Sequence, residues 1–164
     1  MRRLAVLLVV IAAVCSLSFP ASAAGTWPWP VVGPVIRGYD PPGSPYGSGH
    51  RGIDIGAPYG TPVAAPAAGT VSFSGKVGGY LFLTIQHGGG VASTYSWVSS
   101  LLVKKNDAVR AGQIVALTGQ GHPGSDATHL HFAVKLNGAY VNPLDYLSPG
   151  SVVDLIRLVP VAPP

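Results

Sequence analysis

Turn-forming residues interrupt this chain at short intervals and limit what it can fold into. Its 164 residues include 22 glycines and 16 prolines, and both residue types end helices and strands. The stretches between them are short and either apolar or alternating, which is typical of strands, and helical periodicity is almost absent. The strongest local signal is Asn137-Gly138, because both residues tolerate positive φ and favour a tight hairpin. The pattern therefore predicts an all-β domain.

The same pattern places the individual strands. Segments 80–86 and 91–97 form a predicted hairpin around a glycine-rich turn, and segment 129–136 pairs back with 139–141. Shorter strands are predicted at 61–63, 69–73 and 113–118. The segment 99–106 is compatible with a helical turn.

The amino terminus has the three parts of a secretory signal peptide. A positive start, Met1-Arg2-Arg3, is followed by an apolar run from Leu4 to Phe19 and by the small-x-small site Ala21-Ser22-Ala23. The run of 16 residues is shorter than the ~20 that a membrane-spanning helix needs. Residues 1–23 are therefore predicted to be a signal peptide, cleaved after Ala23 or one residue later. An uncleaved anchor is the alternative.

Cleavage there would leave a chain without cysteine. Cys15 is the only cysteine, and it follows Val14, which is too large for a lipoprotein processing site. Removal of 23 residues from 164 leaves 141, which suits one domain with a substantial core. A disulfide framework and a thiolate nucleophile are both excluded for such a chain.

Charge and acidic composition exclude two further classes. Without Arg2 and Arg3, eight basic residues face six aspartates, so the formal net charge falls from +4 to +2. No run of Lys or Arg is present, and nucleic-acid binding therefore has little support. The sequence contains no glutamate, which excludes a His-Glu-x-x-His zinc hydrolase. Any carboxylate ligand or base must be an aspartate.

Two histidines lie close together in the segment Thr128–Phe132. Side chains alternate between the two faces of a strand, so His129 and His131 share one face while Leu130 and Phe132 point to the other. Two adjacent imidazoles can share a metal ion, or one can bind metal while the other moves protons. The plainer alternative is a half-buried strand with two surface histidines, and this segment alone does not decide between them.

His50 and Asp54 could complete a metal site with this strand. A catalytic zinc typically has three protein ligands and an open fourth position, and His50, Asp54 and His131 make such a set. Zinc lowers the pKa of water from about 15.7 towards 7. His129 would then be a competent base in its neutral form.

These residues belong to a longer ordered pattern. In chain order it comprises His50-x-Gly-x-Asp54, Ala57-Pro58-x-Gly-Thr-Pro-Val63, His87-Gly88, Lys105-x-Asp107-x-Val-x-x-Gly112-Gln113, His129-Leu-His131-Phe132 and Asn142-Pro143-Leu144. The pattern resembles that of the M23 peptidases, the LytM or lysostaphin-type zinc endopeptidases. Each piece alone is weak, but together they match in order from about residue 37 to Leu147.

The resemblance implies both a fold and a set of roles. It implies a compact antiparallel β-sheet domain over residues 37–148, a LytM-type β-sandwich of the duplicated-hybrid kind, with a groove that holds one Zn²⁺. The implied substrates are peptides of bacterial cell-wall peptidoglycan. By matched position, His50, Asp54 and His131 resemble the zinc ligands, and His129 resembles the catalytic base.

At one site position the chain departs from the family pattern. The family has Tyr-x-His-Leu where this chain has Tyr95-Ser96-Trp97-Val98, and that family histidine helps to orient water and to stabilise the oxyanion. Tryptophan donates a hydrogen bond but cannot take up a proton. Loss of a positioned proton-transfer group typically costs about 10²–10⁴ in rate, so Trp97 predicts weakened turnover. A milder departure is Ala133, where the family often has glutamate.

Three residues are candidates for substrate contacts. Tyr95 and Trp97 lie on the predicted strand 91–97, and His122 lies in the glycine-rich loop before the histidine strand. The plainer interpretations are packed aromatics for the first two and a solvated loop histidine for the third. His87, in a glycine-rich turn, is predicted to be structural.

The sequence as a whole predicts a secreted, extracytoplasmic zinc metalloendopeptidase that hydrolyses peptidoglycan peptides at the cell wall. Trp97 favours an alternative, a catalytically impaired metal-binding module that binds walls or activates another peptidoglycan hydrolase. A third alternative is a carbohydrate- or peptide-binding β-domain without metal. A Pro/Trp-rich lead-in over 24–36 and an apolar, proline-ended tail over 149–164 flank the domain. No membrane span is expected after signal cleavage, and the oligomeric state is not indicated.

Overall fold

The structure is a computed structural model that describes residues 26–44 and 47–149. Its strands are β1 (Val35–Arg37), β2 (Ile53–Gly56), β3 (Pro62–Ala64), β4 (Gly69–Val77), β5 (Tyr80–Gly88), β6 (Val91–Val98), β7 (Ser100–Leu101), β8 (Ala108–Val109), β9 (Ile114–Leu117), β10 (His129–Leu136) and β11 (Ala139–Val141). Within the described residues the one helical segment is a 3-10 turn, Pro143–Asp145. The predicted signal peptide and the predicted tail beyond residue 149 lie outside these ranges. No helix of the described part is long and apolar enough to cross a membrane.

The strands form two antiparallel sheets. The larger sheet has eight strands in the order β1-β2-β10-β6-β5-β4-β8, with β11 paired to the far end of β10. The smaller sheet has the order β3-β9-β7. Leu130, Phe132 and Val134 of β10 belong to the same buried cluster as Ile85 of β5 and Val115 of β9, so one core joins both sheets. The predicted all-β antiparallel fold is confirmed.

The predicted hairpin after β10 is also confirmed. Asn137 and Gly138 have φ values of 50° and 86°, as a tight hairpin turn requires. The β10–β11 register then pairs Leu136 with Ala139 and Val134 with Val141.

The helical turn considered for 99–106 is wrong. Ser100 and Leu101 form β7 and pair with Leu117 and Ala116 of β9. A helical turn would remove these two ladder partners from the smaller sheet, and the ladder satisfies the backbone groups of both strands.

The Pro/Trp-rich lead-in packs against the domain through Trp27. Trp27 is buried and contacts the rings of His87 and Tyr146 at 4.8 and 5.2 Å between centroids. The backbone N–H of Trp27 donates to the Tyr146 carbonyl at 2.9 Å, and the backbone N–H of Ser148 donates to the Trp27 carbonyl at 2.7 Å. These bonds tie the two ends of the described chain together.

Candidate metal centre

The strand register brings His50, Asp54 and His131 to one point. Asp54 on β2 lies directly opposite His131 on β10, and Ser96 on β6 flanks His131 on its other side. His50 precedes β2 and is held by a backbone bridge with Asp40. His50 from the loop before β2 thus meets Asp54 and His131, which are paired on neighbouring strands, at one surface of the larger sheet.

The three side chains present ligand atoms at close range. His50 Nε2 is 3.1 Å from Asp54 Oδ1 and 3.0 Å from His131 Nδ1. His131 Nδ1 is 2.8 Å from the same Asp54 oxygen. All three residues are buried, with Asp54 only 2% exposed.

The second nitrogen of His50 fixes its tautomer. His50 Nδ1 is 2.6 Å from the Gly38 carbonyl, and because a carbonyl only accepts, Nδ1 must donate. The lone pair of Nε2 is then free to face Asp54 and His131. A backbone carbonyl in this position is a common second partner of metal-binding histidines.

The residues fit a divalent metal such as zinc. Zinc takes histidine nitrogen and carboxylate oxygen at about 2.0–2.2 Å, so its neighbouring ligand atoms lie roughly 3–3.5 Å apart. The observed separations of 2.8–3.1 Å agree with that spacing. Two nitrogens and one oxygen match the catalytic zinc sites that use three protein ligands.

Electrostatics favour the protonation states that bind metal. Burial alone would raise the pKa of Asp54, but the His131 hydrogen bond and the nearby histidine charges outweigh it and lower the pKa below 3.8. Burial lowers the pKa of His131 from 6.5, only partly opposed by Asp54. Near neutral pH, Asp54 is therefore ionised and His131 is neutral.

Glycine at position 52 makes room for His131. A Cβ on Gly52 would lie 2.5 Å from the Phe132 carbonyl oxygen and 2.8 Å from His131 Nε2. Both distances are far below van der Waals contact. The glycine between His50 and Asp54 is thus required because the His131 ring packs against its backbone.

His129 lies beside the three converging residues with one nitrogen unpaired. Its Nδ1 is 2.8 Å from the Ala127 carbonyl and must donate, which leaves a lone pair on Nε2. That Nε2 is buried without a hydrogen-bond partner and lies 3.7 Å from Asp54 Oδ1. A buried nitrogen without a partner costs about 1–3 kcal/mol. A species bound at the metal position would supply the missing partner.

Trp97 faces this centre because of a bulge in β6. In the pairing with β5, Leu81 lies opposite Val98 and Phe82 lies opposite Ser96, so Trp97 is the extra residue. Its φ of 56° is a conformation that a bulky residue rarely adopts, and such bulges commonly re-aim a side chain. The indole lies 5.2 Å from the His131 ring.

His122 also reaches the centre, from the loop between β9 and β10. Its Nε2 is 3.7 Å from Asp54 Oδ2, and its ring lies 5.0 Å from His129 and 5.6 Å from Trp97. The side chain is 27% exposed. His122 therefore lies at the surface of the groove, and its contact with substrate stays a prediction.

A groove of about 330 Å³ opens over these residues. Its lining includes Arg37, Trp97, His122, His131 and Tyr140. Two of the three converging residues, His50 and His131, also line this groove.

Tyr95 does not line this groove. It is 0% exposed, packs 5.4 Å from Phe132, and shares a hydrogen bond of 3.0 Å with the Ser93 hydroxyl. Strict alternation would place Tyr95 and Trp97 on one face, but the bulge breaks that alternation. Tyr95 therefore joins the core while Trp97 turns to the site, which corrects the prediction of a substrate contact for Tyr95.

Comparison with known sequences decides the family. The sequence pattern of peptidase family M23 matches residues 48–143, which is more than half of the chain and contains all the converging residues. The chain belongs to peptidase family M23.

The similarity to curated relatives covers most of this chain but only part of each relative. The uncharacterized lipoprotein YgeR of Escherichia coli is 35% identical over 84% of this chain and 53% of its own length. The murein hydrolase activator NlpD of Salmonella dublin is 37% identical over 80% of this chain and 33% of its own length. The chain thus spans about half and about a third of these two relatives.

The M23 fold is shared with an experimentally determined zinc protein. A zinc-containing peptidase from Vibrio cholerae superposes on 76% of this chain and 41% of its own, with a TM-score of 0.64 and 27% identity. This likeness agrees with the metal-compatible geometry of His50, Asp54 and His131.

Within the site, sequence reasoning did not predict that His122 lies beside Asp54 and His129. The strand pattern indicated that His129 and His131 share a face, but a glycine-rich loop carries no periodicity from which a direction can be predicted. The sole available signal was residue type, since His122 is one of five histidines in the sequence.

Proposed function

We propose that this protein is an exported zinc endopeptidase that hydrolyses peptide bonds of bacterial peptidoglycan. The observation that carries the proposal is the convergence of His50, Asp54 and His131 beside the buried, unpartnered Nε2 of His129. Membership of family M23 supports peptidase chemistry. The relative described as a murein hydrolase activator supports murein as the polymer concerned.

The proposed roles follow from which atoms are free. His50 Nε2, Asp54 Oδ1 and His131 Nδ1 would hold Zn²⁺, which supplies a Lewis acid and lowers the pKa of water towards about 7. His129 Nε2 accepts one proton as the water oxygen bonds to the scissile carbonyl carbon. The imidazolium then returns that proton to the amide nitrogen as the carbon–nitrogen bond breaks. The products are one carboxylic acid and one amine.

Metal analysis combined with a wall digest tests this proposal. The protein without residues 1–23 is purified, its zinc content is measured, and it is incubated with purified peptidoglycan from walls of several cross-link types. One zinc per chain and the appearance of new amino groups and shorter peptides are expected. Full zinc occupancy with no cleavage of any wall type would falsify the enzymatic part.

Trp97 and the similarity to an activator favour a second candidate function. In this alternative the domain binds zinc and walls but turns over poorly, and it stimulates a separate peptidoglycan hydrolase. The alternative predicts that Trp97→His raises cleavage strongly, by an amount of the order of the 10²–10⁴ that a positioned proton-transfer group contributes. It also predicts that the unaltered protein accelerates a separate peptidoglycan hydrolase in a mixed digest.

Two measurements separate the candidate functions: peptide release by the protein alone, with and without Trp97→His, and the yield of the mixed digest. An endopeptidase releases peptides alone, and Trp97→His changes its rate little. An activator releases few or no peptides alone but increases the yield of the added peptidoglycan hydrolase, whether or not its own zinc site is intact.

A further inference from the structure

We propose that His122 is a second water-orienting residue of this centre, acting together with His129. The proposal rests on the endopeptidase function proposed above. It assigns to a loop histidine a direct contact with the attacking water.

The two imidazoles that lie outside the ligand triangle are held in the same tautomer. His129 Nδ1 lies 2.8 Å from the Ala127 carbonyl, and His122 Nδ1 lies 3.2 Å from the Pro123 carbonyl. Each carbonyl can only accept, so each Nδ1 donates and each Nε2 keeps its lone pair. Both side chains therefore offer an acceptor.

These two acceptors face the carboxylate of Asp54 from different sides. His129 Nε2 is 3.7 Å from Oδ1, and His122 Nε2 is 3.7 Å from Oδ2. The His129 nitrogen is buried without a partner, whereas His122 lies at the groove surface. Water has two hydrogens, and two lone pairs facing one place can receive both.

The atoms of this second group are spaced more widely than those of the ligand triangle. One ligand atom from each of Asp54, His122 and His129 lies within 4.8 Å of the others, and each histidine Nε2 is 3.7 Å from an Asp54 oxygen. The sides of the ligand triangle are 2.8–3.1 Å, and neighbouring ligand atoms of one zinc ion lie roughly 3–3.5 Å apart. We therefore assign water, held by hydrogen bonds, to the second group rather than a second metal ion.

The loop that carries His122 is fixed rather than loosely placed. Gly121 has a φ of +90°, and a Cβ on it would lie 2.1 Å from Cε1 of His129. The backbone immediately before His122 thus packs on the His129 ring. On the other side, the Trp97 ring meets His122 nearly edge-on at 5.6 Å and 68°.

Trp97 has a supporting role in this arrangement. It cannot supply an imidazole itself, but its ring packs against the imidazole of His122, which the loop supplies. When both hydrogens of the water are hydrogen-bonded to these nitrogens, a lone pair of the water oxygen is directed at the scissile carbonyl carbon. One of the two hydrogens is then already hydrogen-bonded to the base, His129. Positioning of this kind lowers the entropic part of the barrier.

Kinetics with a position-swap variant test the role. His122→Ala is expected to lower kcat by about 10²-fold while KM and zinc content stay within twofold of the unaltered protein. The double variant Trp97→His/His122→Ala is expected to recover at least 10-fold of that loss, because it returns an imidazole to the centre from β6. Asp126→Ala, an exposed residue of the same loop, serves as the matched control.

Tautomer measurement provides a readout that does not depend on turnover. Long-range ¹H–¹⁵N NMR of the zinc-loaded protein should show both His122 and His129 with a protonated Nδ1 and a bare Nε2. An unchanged kcat in His122→Ala, loss of zinc in that variant, or a His122 with protonated Nε2 would each overturn the inference. An unaltered protein without turnover defeats the proposed function, and the NMR result then decides the inference by itself.

Discussion

His129 and His131 are two residues apart on one strand, yet they present different nitrogens to the centre. His131 directs Nδ1 at Asp54 Oδ1 at 2.8 Å, whereas His129 uses Nδ1 to bind the Ala127 carbonyl and directs Nε2 inward. The first geometry suits a ligand and the second suits a base. The backbone carbonyl thus separates two chemically identical side chains into different proposed roles.

Alanine substitutions of this pair should have opposite effects on zinc and on turnover. His131→Ala removes one of three ligand atoms, and we expect the zinc content of the purified protein to fall below about 0.1 per chain after dialysis against a weak chelator. His129→Ala should retain zinc and lose about 10²–10⁴ in kcat. Atomic absorption and a peptide-release assay measure the two quantities. Retained zinc in His131→Ala would contradict the ligand assignment.

Gly52 allows a separate test of the ligand geometry. In Gly52→Ala the new Cβ meets the Phe132 carbonyl and His131 Nε2 at 2.5 and 2.8 Å, so the imidazole must move. We expect zinc affinity to fall about 10–100-fold, the range that altered support of a ligand typically costs. Gly43→Ala is the matched control, because a Cβ there has no neighbour within 4 Å. Equal affinities in a chelator competition would show that His131 does not need this space.

Among the elements, side-chain alternation predicts the directions of side chains correctly on β10 but not on β6. Alternation along β10 correctly indicated that His129 and His131 share a face. The same rule fails on β6, because the bulge at Trp97 shifts the register and sends Tyr95 to the core. A positive φ at tryptophan carries no sequence signal, so Tyr95 could not be assigned from the pattern. The position of His122 was equally hidden, since loop direction depends on tertiary packing against His129.

The strands β5 and β6 also hold a buried histidine that has no part in the metal centre. His87 Nδ1 donates to the Ala68 carbonyl at 2.9 Å, and Nε2 lies 2.8 Å from the Ser93 hydroxyl. The Trp27 ring packs against the His87 ring in a T-shaped contact, with 4.8 Å between centroids. This environment agrees with the structural role predicted from its glycine-rich turn. Burial lowers the pKa of His87 below 6.5 despite its backbone hydrogen bonds.

His87 should make stability depend on pH below about 6.5. Above that pH both the folded and the unfolded states hold a neutral imidazole, so stability does not change. As the pH falls, the unfolded state binds a proton that the folded state refuses, and the free energy of unfolding decreases by at most about 1.4 kcal/mol per pH unit. Urea unfolding of metal-free protein at pH 7.5 and 5.5 measures this slope.

The comparison variant for that slope is His87→Gln, which stays neutral at both values of pH. Its loss of stability between pH 7.5 and 5.5 should be smaller than that of the unaltered protein. The metal-centre histidines contribute equally to both proteins and cancel in the difference. Equal slopes would mean that His87 titrates alike in the folded and unfolded states.

At the scale of the whole molecule, the core and the metal centre lie on opposite faces of the larger sheet. Residues of both sheets share one apolar cluster, and Trp27 joins the two ends of the described chain to it. The residues of this cluster are hydrophobic, and none of His50, Asp54 and His131 belongs to it. The domain therefore has a source of stability that does not depend on zinc or on disulfides.

Removal of the metal should accordingly weaken the domain without unfolding it. A ligand that binds only the folded state stabilises it by RT ln(1 + [L]/Kd), about 2.7 kcal/mol at 100 times Kd. We expect chelation to lower Tm by several degrees while the β-sheet circular dichroism spectrum at 25 °C is retained, and added zinc should restore the original Tm. His131→Ala should show the lower Tm with or without zinc. Collapse of the spectrum on chelation, as in domains that fold only around their metal, would show that the apolar core cannot hold the two sheets together alone.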